Sequence, residues 1–262
     1  MAGFANFINT LTYLPNPNEN LDRSLPNAVA LPEFPNQTAD ANTGLNLFMT
    51  GLIGPGGLTC NSCHTSNPGP GSNLQIKLSV EPDPDMVQPM KSAQLRNLYQ
   101  RTDMSFLSGA VSINGFGYNH DGTGDGLYAF FGDRFPNFAN KPAEKKAIEA
   151  YELCFDTGTP PAVGYSRTLT ASTVNTQAAQ KDWNTLQSQA SLGNIDLVAN
   201  GTIEGQVHAL LYQPANNTYQ IDAAGAGSYT QAQLTSFIKD GDTLTIMGVP
   251  AGTGQRVLGQ IR

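Results

Sequence analysis

Apolar residues first fall into a helical rhythm at Ala41, Gly44, Leu45 and Phe48, spaced i, i+3, i+4 and i+7. Thr38 reads as the N-cap of this helix, with Asp40 in its first turn. Gly51, Gly54, Pro55, Gly56 and Gly57 end it and predict a loop. Residues 74–80 alternate like a short strand between two Pro-rich turns. Leu95, Leu98 and Tyr99 predict a helix over 91–101, and Leu127, Phe130 and Phe131 begin another. A further helix starts at Pro142, a residue suited to a first helical turn, and presents Ala147, Ile148, Tyr151 and Phe155 on one face. Before all of these, Pro15, Pro17, Pro26, Pro32 and Pro35 make residues 1–37 an extended lead-in.

Thr159-Pro160-Pro161 breaks the pattern, and the texture changes after it. Residues 172–192 and 229–239 read as helices. Ile195 to Val198, Gln206 to Tyr212, Tyr219 to Ile221, Thr243 to Met247 and Arg256 to Ile261 read as strands, with a turn at Asn216-Asn217. The organisation expected is a lead-in (1–37), a mainly α domain (38–163) and a small α+β domain (164–262).

Charged residues are only 13% of the chain, about half the usual ~25%. The net charge is -7, of which residues 164–262 carry five of the 14 bases and six of the 21 acids. An acidic chain lacks the basic face that nucleic acid requires, and no apolar run is long enough to span a membrane. The first residues show neither a basic n-region nor a sustained apolar stretch, so the chain reads as mature or as a piece of something longer. Three cysteines make no disulfide framework.

Two of them stand in Cys60-Asn61-Ser62-Cys63-His64, a spacing suited to covalent haem attachment. On one helical turn the Cys60 and Cys63 sulfurs can reach the two vinyl groups at a porphyrin edge. His64, four residues after Cys60, projects its imidazole to the same side and can ligate the iron. A zinc site needs four ligands, and the remaining His and Cys are His120, His208 and Cys154, the last on a predicted packed helix. A thioredoxin-like dithiol follows a strand and opens a helix, whereas this motif follows a Gly-rich loop. The expected cofactor is therefore one haem c.

The order helix, Gly-rich loop, motif, Pro-rich turn, helix and aromatic-faced helix is similar to a class I cytochrome c. Asn42-Thr43-Gly44-Leu45-Asn46-Leu47-Phe48 resembles the lead helix of such domains. Met90-Lys91-Ser92-Ala93-Gln94-Leu95-Arg96-Asn97 and Tyr118-Asn119-His120-Asp121-Gly122 resemble a signature of the diheme cytochrome c peroxidase and methylamine-utilisation family, in its C-terminal haem domain. Phe155-Asp156-Thr157-Gly158 with Pro160-Pro161-Ala162-Val163-Gly164 resembles a subgroup with an extra C-terminal domain. The resemblance spans about residues 38–156 and implies a mainly α, class I cytochrome c-like haem domain followed by a small α+β domain. Family enzymes carry two haems, and this chain has one attachment motif. Where the family places its distal Met or Tyr, this chain has Arg134, which cannot ligate iron.

Cys60, Cys63 and His64 are thus the expected haem-attachment residues, with His64 the proximal ligand. Its second nitrogen should donate to a backbone carbonyl, for which Pro68 and Pro70 are the candidates. The sixth ligand falls to Met104, with His120, Met90 or an open position as alternatives. Arg96 is a candidate partner for a haem propionate, an anion that a planar guanidinium suits. Cys154 reads as a buried inert thiol, His208 as a structural histidine, and Glu81, Asp83 and Asp85 as a solvated acidic loop without a role. The function expected is electron transfer with an unidentified redox partner protein. The alternatives are a peroxidase-type haem enzyme needing an open distal site or a second haem, and a binding or assembly role for the second domain. Haem c attachment takes place outside the cytoplasm, which implies a periplasmic or extracellular location.

Overall fold

The computed structural model describes residues 2–8, 10–64, 92–102, 117–118, 124, 126–222 and 227–258. They form two units, Met1–Asn20 with Leu25–Thr159, and Leu21–Ser24 with Pro160–Arg262. Among the described residues no helix is long and apolar enough to cross a membrane.

The first unit begins with a short helix, α1 (Ala2–Ile8), where the prolines further along had suggested only extended chain. Val29–Ala30 (β1) and Thr38–Ala39 (β2) pair antiparallel, Ala30 opposite Thr38. That pairing takes Thr38 out of the capping position expected for it. Asp40 caps α2 (Ala41–Thr50) instead, accepting from the Asn42 N–H at 2.9 Å and the Thr43 hydroxyl at 2.9 Å. Helix α3 (Leu127–Arg134) begins beneath the Glu33 carboxylate, which accepts the Tyr128 N–H at 2.8 Å and offsets the positive end of the helix dipole. Helix α4 (Pro142–Leu153) has proline in its first turn, where the missing donor costs nothing. Its last carbonyls are claimed by the lead-in: buried Asn16 Nδ2 donates to Leu153 at 2.9 Å and Phe155 at 3.1 Å, and Asn18 Nδ2 to Leu153 at 3.0 Å.

Helices α2 and α4 cross at Gly44. A Cβ there would overlap the Ala147 carbonyl and come within 2.7 Å of Tyr151 Cβ. Aromatic rings close the rest of the contact, Phe48 on Tyr151 at 5.0 Å and on Phe155 at 6.0 Å between centroids. Leu95, Leu98, Phe131, Phe138 and Ile148 complete this core. The helix predicted over 91–101 does not form in its described part. Only Leu98–Arg101 makes a 3-10 turn, because the Gln94 side chain accepts the Arg96 N–H at 2.8 Å and holds the preceding backbone out of helix. The strand predicted over 74–80 lies outside the described residues.

The second unit is built on a six-stranded antiparallel sheet in the order β3-β8-β4-β5-β6-β7. Its elements are β3 (Ser166–Leu169), α5 (Gln177–Ser191), β4 (Ile195–Ile203), β5 (Gln206–Gln213), β6 (Thr218–Ile221), β7 (Ser228–Tyr229), α6 (Gln231–Lys239) and β8 (Leu244–Pro250). Glu204 and Gly205 join β4 to β5 with φ of 53° and 75°, the paired left-handed conformation of a tight hairpin. Trp183 of α5 is fully buried and donates its ring N–H to Tyr219 of β6. The described part of the last predicted strand lies in a 3-10 turn, Gly254–Leu258, which the Asp196 carboxylate holds through the Gly254 N–H at 2.6 Å.

These elements correct the expected fold class. The protein is not a mainly α cytochrome fold: a six-stranded antiparallel sheet and a two-stranded one stand beside six helices among the described residues. Local hydrogen bonding by Gln94 removes a predicted helix, while short edge strands add sheet that hydropathy did not reveal.

Because the crossing leaves no room for a methyl, Gly44→Ala should lower unfolding free energy by about 1–3 kcal/mol, read from the denaturant midpoint. Gly3→Ala, with open space around it, should change stability by less than about 0.5 kcal/mol. Equal midpoints for the two variants would contradict a close crossing at Gly44.

Candidate functional site

Cys60–Ser62 form one 3-10 turn. Thr59 caps it, its hydroxyl oxygen accepting the Ser62 N–H at 3.2 Å. The N–H groups of Cys63 and His64 both reach the Cys60 carbonyl, at 3.1 and 2.9 Å. The two cysteines are free and half-buried, and Cys60 packs against the aromatic core of the first unit. Burial, reinforced by the charge of Glu152, pushes the Cys60 thiol up to about 12; burial alone raises Cys63. Both are thiols at neutral pH.

The His64 ring is anchored from a segment 29 residues away. Nδ1 lies 2.7 Å from the Ala93 carbonyl oxygen. A carbonyl can only accept, so Nδ1 carries the proton and Nε2 keeps its lone pair. The neighbouring Ser92, itself buried, donates its hydroxyl to the Cys63 carbonyl at 2.9 Å. Two consecutive residues thus grip the motif at side chain and backbone. Burial lowers the His64 pKa below 6.5, against the opposing Ala93 hydrogen bond, and favours the neutral imidazole that can ligate a metal.

The carbonyl expected from Pro68 or Pro70 is therefore supplied by Ala93; both prolines lie outside the described residues. So do Met104, Met90, His120, Glu81, Asp83 and Asp85. Arg96 is half-buried, with its guanidinium carbon 5.4 Å from the centre of the Tyr13 ring. Cys154 is fully buried, and its thiol contacts the Asn18 carbonyl at 3.4 Å. His208 sits on β5 with Nδ1 2.9 Å from Asp222. Among the described residues no group of three or more His, Cys, Asp or Glu is arranged to hold a metal ion.

Two residues on α4 went unnoticed in the sequence. Glu149 and Glu152 are 1% and 7% exposed. Glu149 Oε2 is buried without a hydrogen-bond partner among the described residues. Burial, with repulsion from Glu33 on Glu149 and from Glu149 on Glu152, pushes both carboxyls up to about 8. The signal was present, since Glu152 falls four residues after Ile148, on the apolar side of the helix. Tyr118 belongs to the same cluster, its phenol raised by burial and by Glu33, Glu149 and Glu152.

No family model matches the chain, and neither a curated protein nor a solved structure matches it. The resemblance to the C-terminal haem domain of the diheme cytochrome c peroxidase and methylamine-utilisation family is thereby corrected. No family match supports it, the described residues hold no multi-residue metal cluster, and the sheet content departs from a mainly α fold.

The buried carboxyls make stability depend on pH. A glutamate in the unfolded chain titrates near 4.5, whereas these two remain protonated up to about 8 when folded. Between those values the folded state binds more protons, so stability is greatest on the acid side and falls as pH rises. Denaturant midpoints of wild type should drop relative to Glu149→Gln as pH rises from about 5 to about 8. Parallel pH profiles for the two proteins would contradict the assignment.

Proposed function

We propose that the protein is an electron carrier holding one haem c, bonded through thioethers to Cys60 and Cys63 and ligated by His64. The observation that carries this reading is the hydrogen bond from His64 Nδ1 to the Ala93 carbonyl. It selects the tautomer whose Nε2 can bind iron, and it orients the ring and raises its basicity, as outer partners of metal-bound histidines do. Cys60 and Cys63 lie on the same turn as His64, so sulfurs and imidazole belong to one short rigid segment. Four of the iron's ligands would come from the porphyrin, so the iron asks for one or two protein groups rather than the larger cluster a bare metal ion requires.

Bound haem supplies a one-electron ferric/ferrous couple. The chain's residues do the rest. Cys60 and Cys63 would hold the group as thioethers, each S–H adding across a vinyl group with sulfur on one carbon and hydrogen on the other. Ser92 fixes the motif backbone through Cys63, which limits movement of the imidazole between redox states. Arg96, steadied by Tyr13, is the proposed partner for a propionate. Met104 is the proposed sixth ligand. The proposed setting is periplasmic or extracellular, with a redox protein as partner.

Intact mass after denaturation tests the attachment. Produced in a host with working c-type maturation, the protein should weigh as the polypeptide plus one haem. Cys60→Ala/Cys63→Ala should weigh as its bare polypeptide, and a bare wild-type mass would overturn the proposal. Met104→Ala should abolish the sulfur-to-iron charge-transfer band of the ferric protein and lower its midpoint potential, because thioether sulfur favours ferrous iron. Retention of that band, or its absence from wild type with loss of low-spin iron in His120→Ala, would replace Met104 as the ligand.

A further inference from the structure

We propose that Glu149 and Glu152, the buried carboxyls of α4, take up a proton when the haem is reduced, so that electron transfer is coupled to proton transfer. This rests on the haem reading above. Both side chains are buried, one turn apart on the same helix, and no cation makes an ion pair with either among the described residues. A buried carboxylate without a compensating charge is strongly disfavoured. The site therefore keeps its proton until positive charge arises nearby.

A haem held by Cys60 would bring such charge toward the pair. Cys60 packs against the core to which α4 contributes Ile148, Tyr151 and Leu153, and the Glu152 charge is felt at its sulfur. The ferric haem carries one more positive charge than the ferrous haem. The fixed surroundings do not cancel this difference. Glu33 repels Glu149, while Lys146 attracts it only weakly, being directed to Gln37 at 2.7 Å and to the Phe34 ring. Lys145 lies over the Tyr128 ring at 3.9 Å. Arg101 donates to the Gly117 carbonyl at 3.4 Å, and Tyr118 stays protonated. The His64 Nδ1 faces the Ala93 carbonyl and the Ser92 hydroxyl.

The step balances. A one-electron donor protein reduces ferric to ferrous iron, and one carboxylate of the pair takes a proton from water; oxidation returns both. With both carboxyls pushed up to about 8, ionisation occurs in the neutral to mildly alkaline range. There the remaining carboxylate stabilises ferric iron, so the midpoint potential falls as pH rises. One proton per electron changes the ferric/ferrous equilibrium constant tenfold per pH unit, about 59 mV.

The test is the midpoint potential of the haem-loaded protein as a function of pH, with infrared difference spectra between its two redox states. Wild type should show the falling potential and a carboxylic acid C=O band that appears on reduction. Glu149→Gln and Glu152→Gln should flatten the slope and weaken the band, and the double variant should remove both. Glu144→Gln, at a partly exposed position on the same helix where the carboxylate pairs with Lys141, should behave as wild type. If the Gln variants fail to fold, the wild-type spectra decide: no carboxylic band on reduction overturns the inference. A covalent haem with a pH-independent potential, or a slope and band that persist in the double variant, overturns it alone. A bare-chain mass overturns the haem reading and this inference together.

Discussion

The close crossing of α2 and α4 at Gly44 is the constraint on which the first unit depends. Because Gly44 has no side chain, the two backbones approach until the Ala147 carbonyl occupies the space of a Cβ. That approach brings Phe48 onto Tyr151 and Phe155. Helix α2 ends at Gly51, where the loop to the Cys60–His64 turn begins. The lead-in completes the arrangement by capping the far end of α4 through Asn16 and Asn18.

The site depends on a second kind of constraint, contact across a long sequence separation. Ser92 and Ala93 hold Cys63 and His64 through two hydrogen bonds, one to the motif backbone and one to the imidazole. Neither bond uses a charged group, so both persist across the pH range in which the nearby carboxyls titrate. Positioning and electrostatics are therefore carried by different parts of the chain: Ser92-Ala93 orient the imidazole, and α4 sets the charge near the cysteines.

What could be read from the sequence follows from how local each signal is. Helices α2 and α4 were legible because their apolar residues repeat at helical spacing, and β5 and β6 because the Asn216-Asn217 turn separates two apolar runs. The motif was legible because its three groups lie within five residues. The Ala93 carbonyl was not, since a backbone acceptor leaves no mark on residue type. The buried acids of α4 were hidden by the alternation of acids and bases along that helix, which reads as a solvated face. The helix over 91–101 failed because periodicity does not register a Gln side chain competing for a backbone donor. The fold class was misread as well, since β1, β2 and β7, of two residues each, and β3, of four, are too short to show alternation.

The account's central claim is that His64, oriented by Ala93, offers Nε2 to a haem iron bonded through Cys60 and Cys63. A crystal structure of the protein purified from a host with c-type maturation, with anomalous data at the iron edge, tests it most directly. The account predicts an iron peak at coordination distance from His64 Nε2, continuous density from both cysteine sulfurs to the porphyrin, and an intact Nδ1 contact to Ala93. An iron peak on other residues, or density that ends at the two sulfurs, would contradict it.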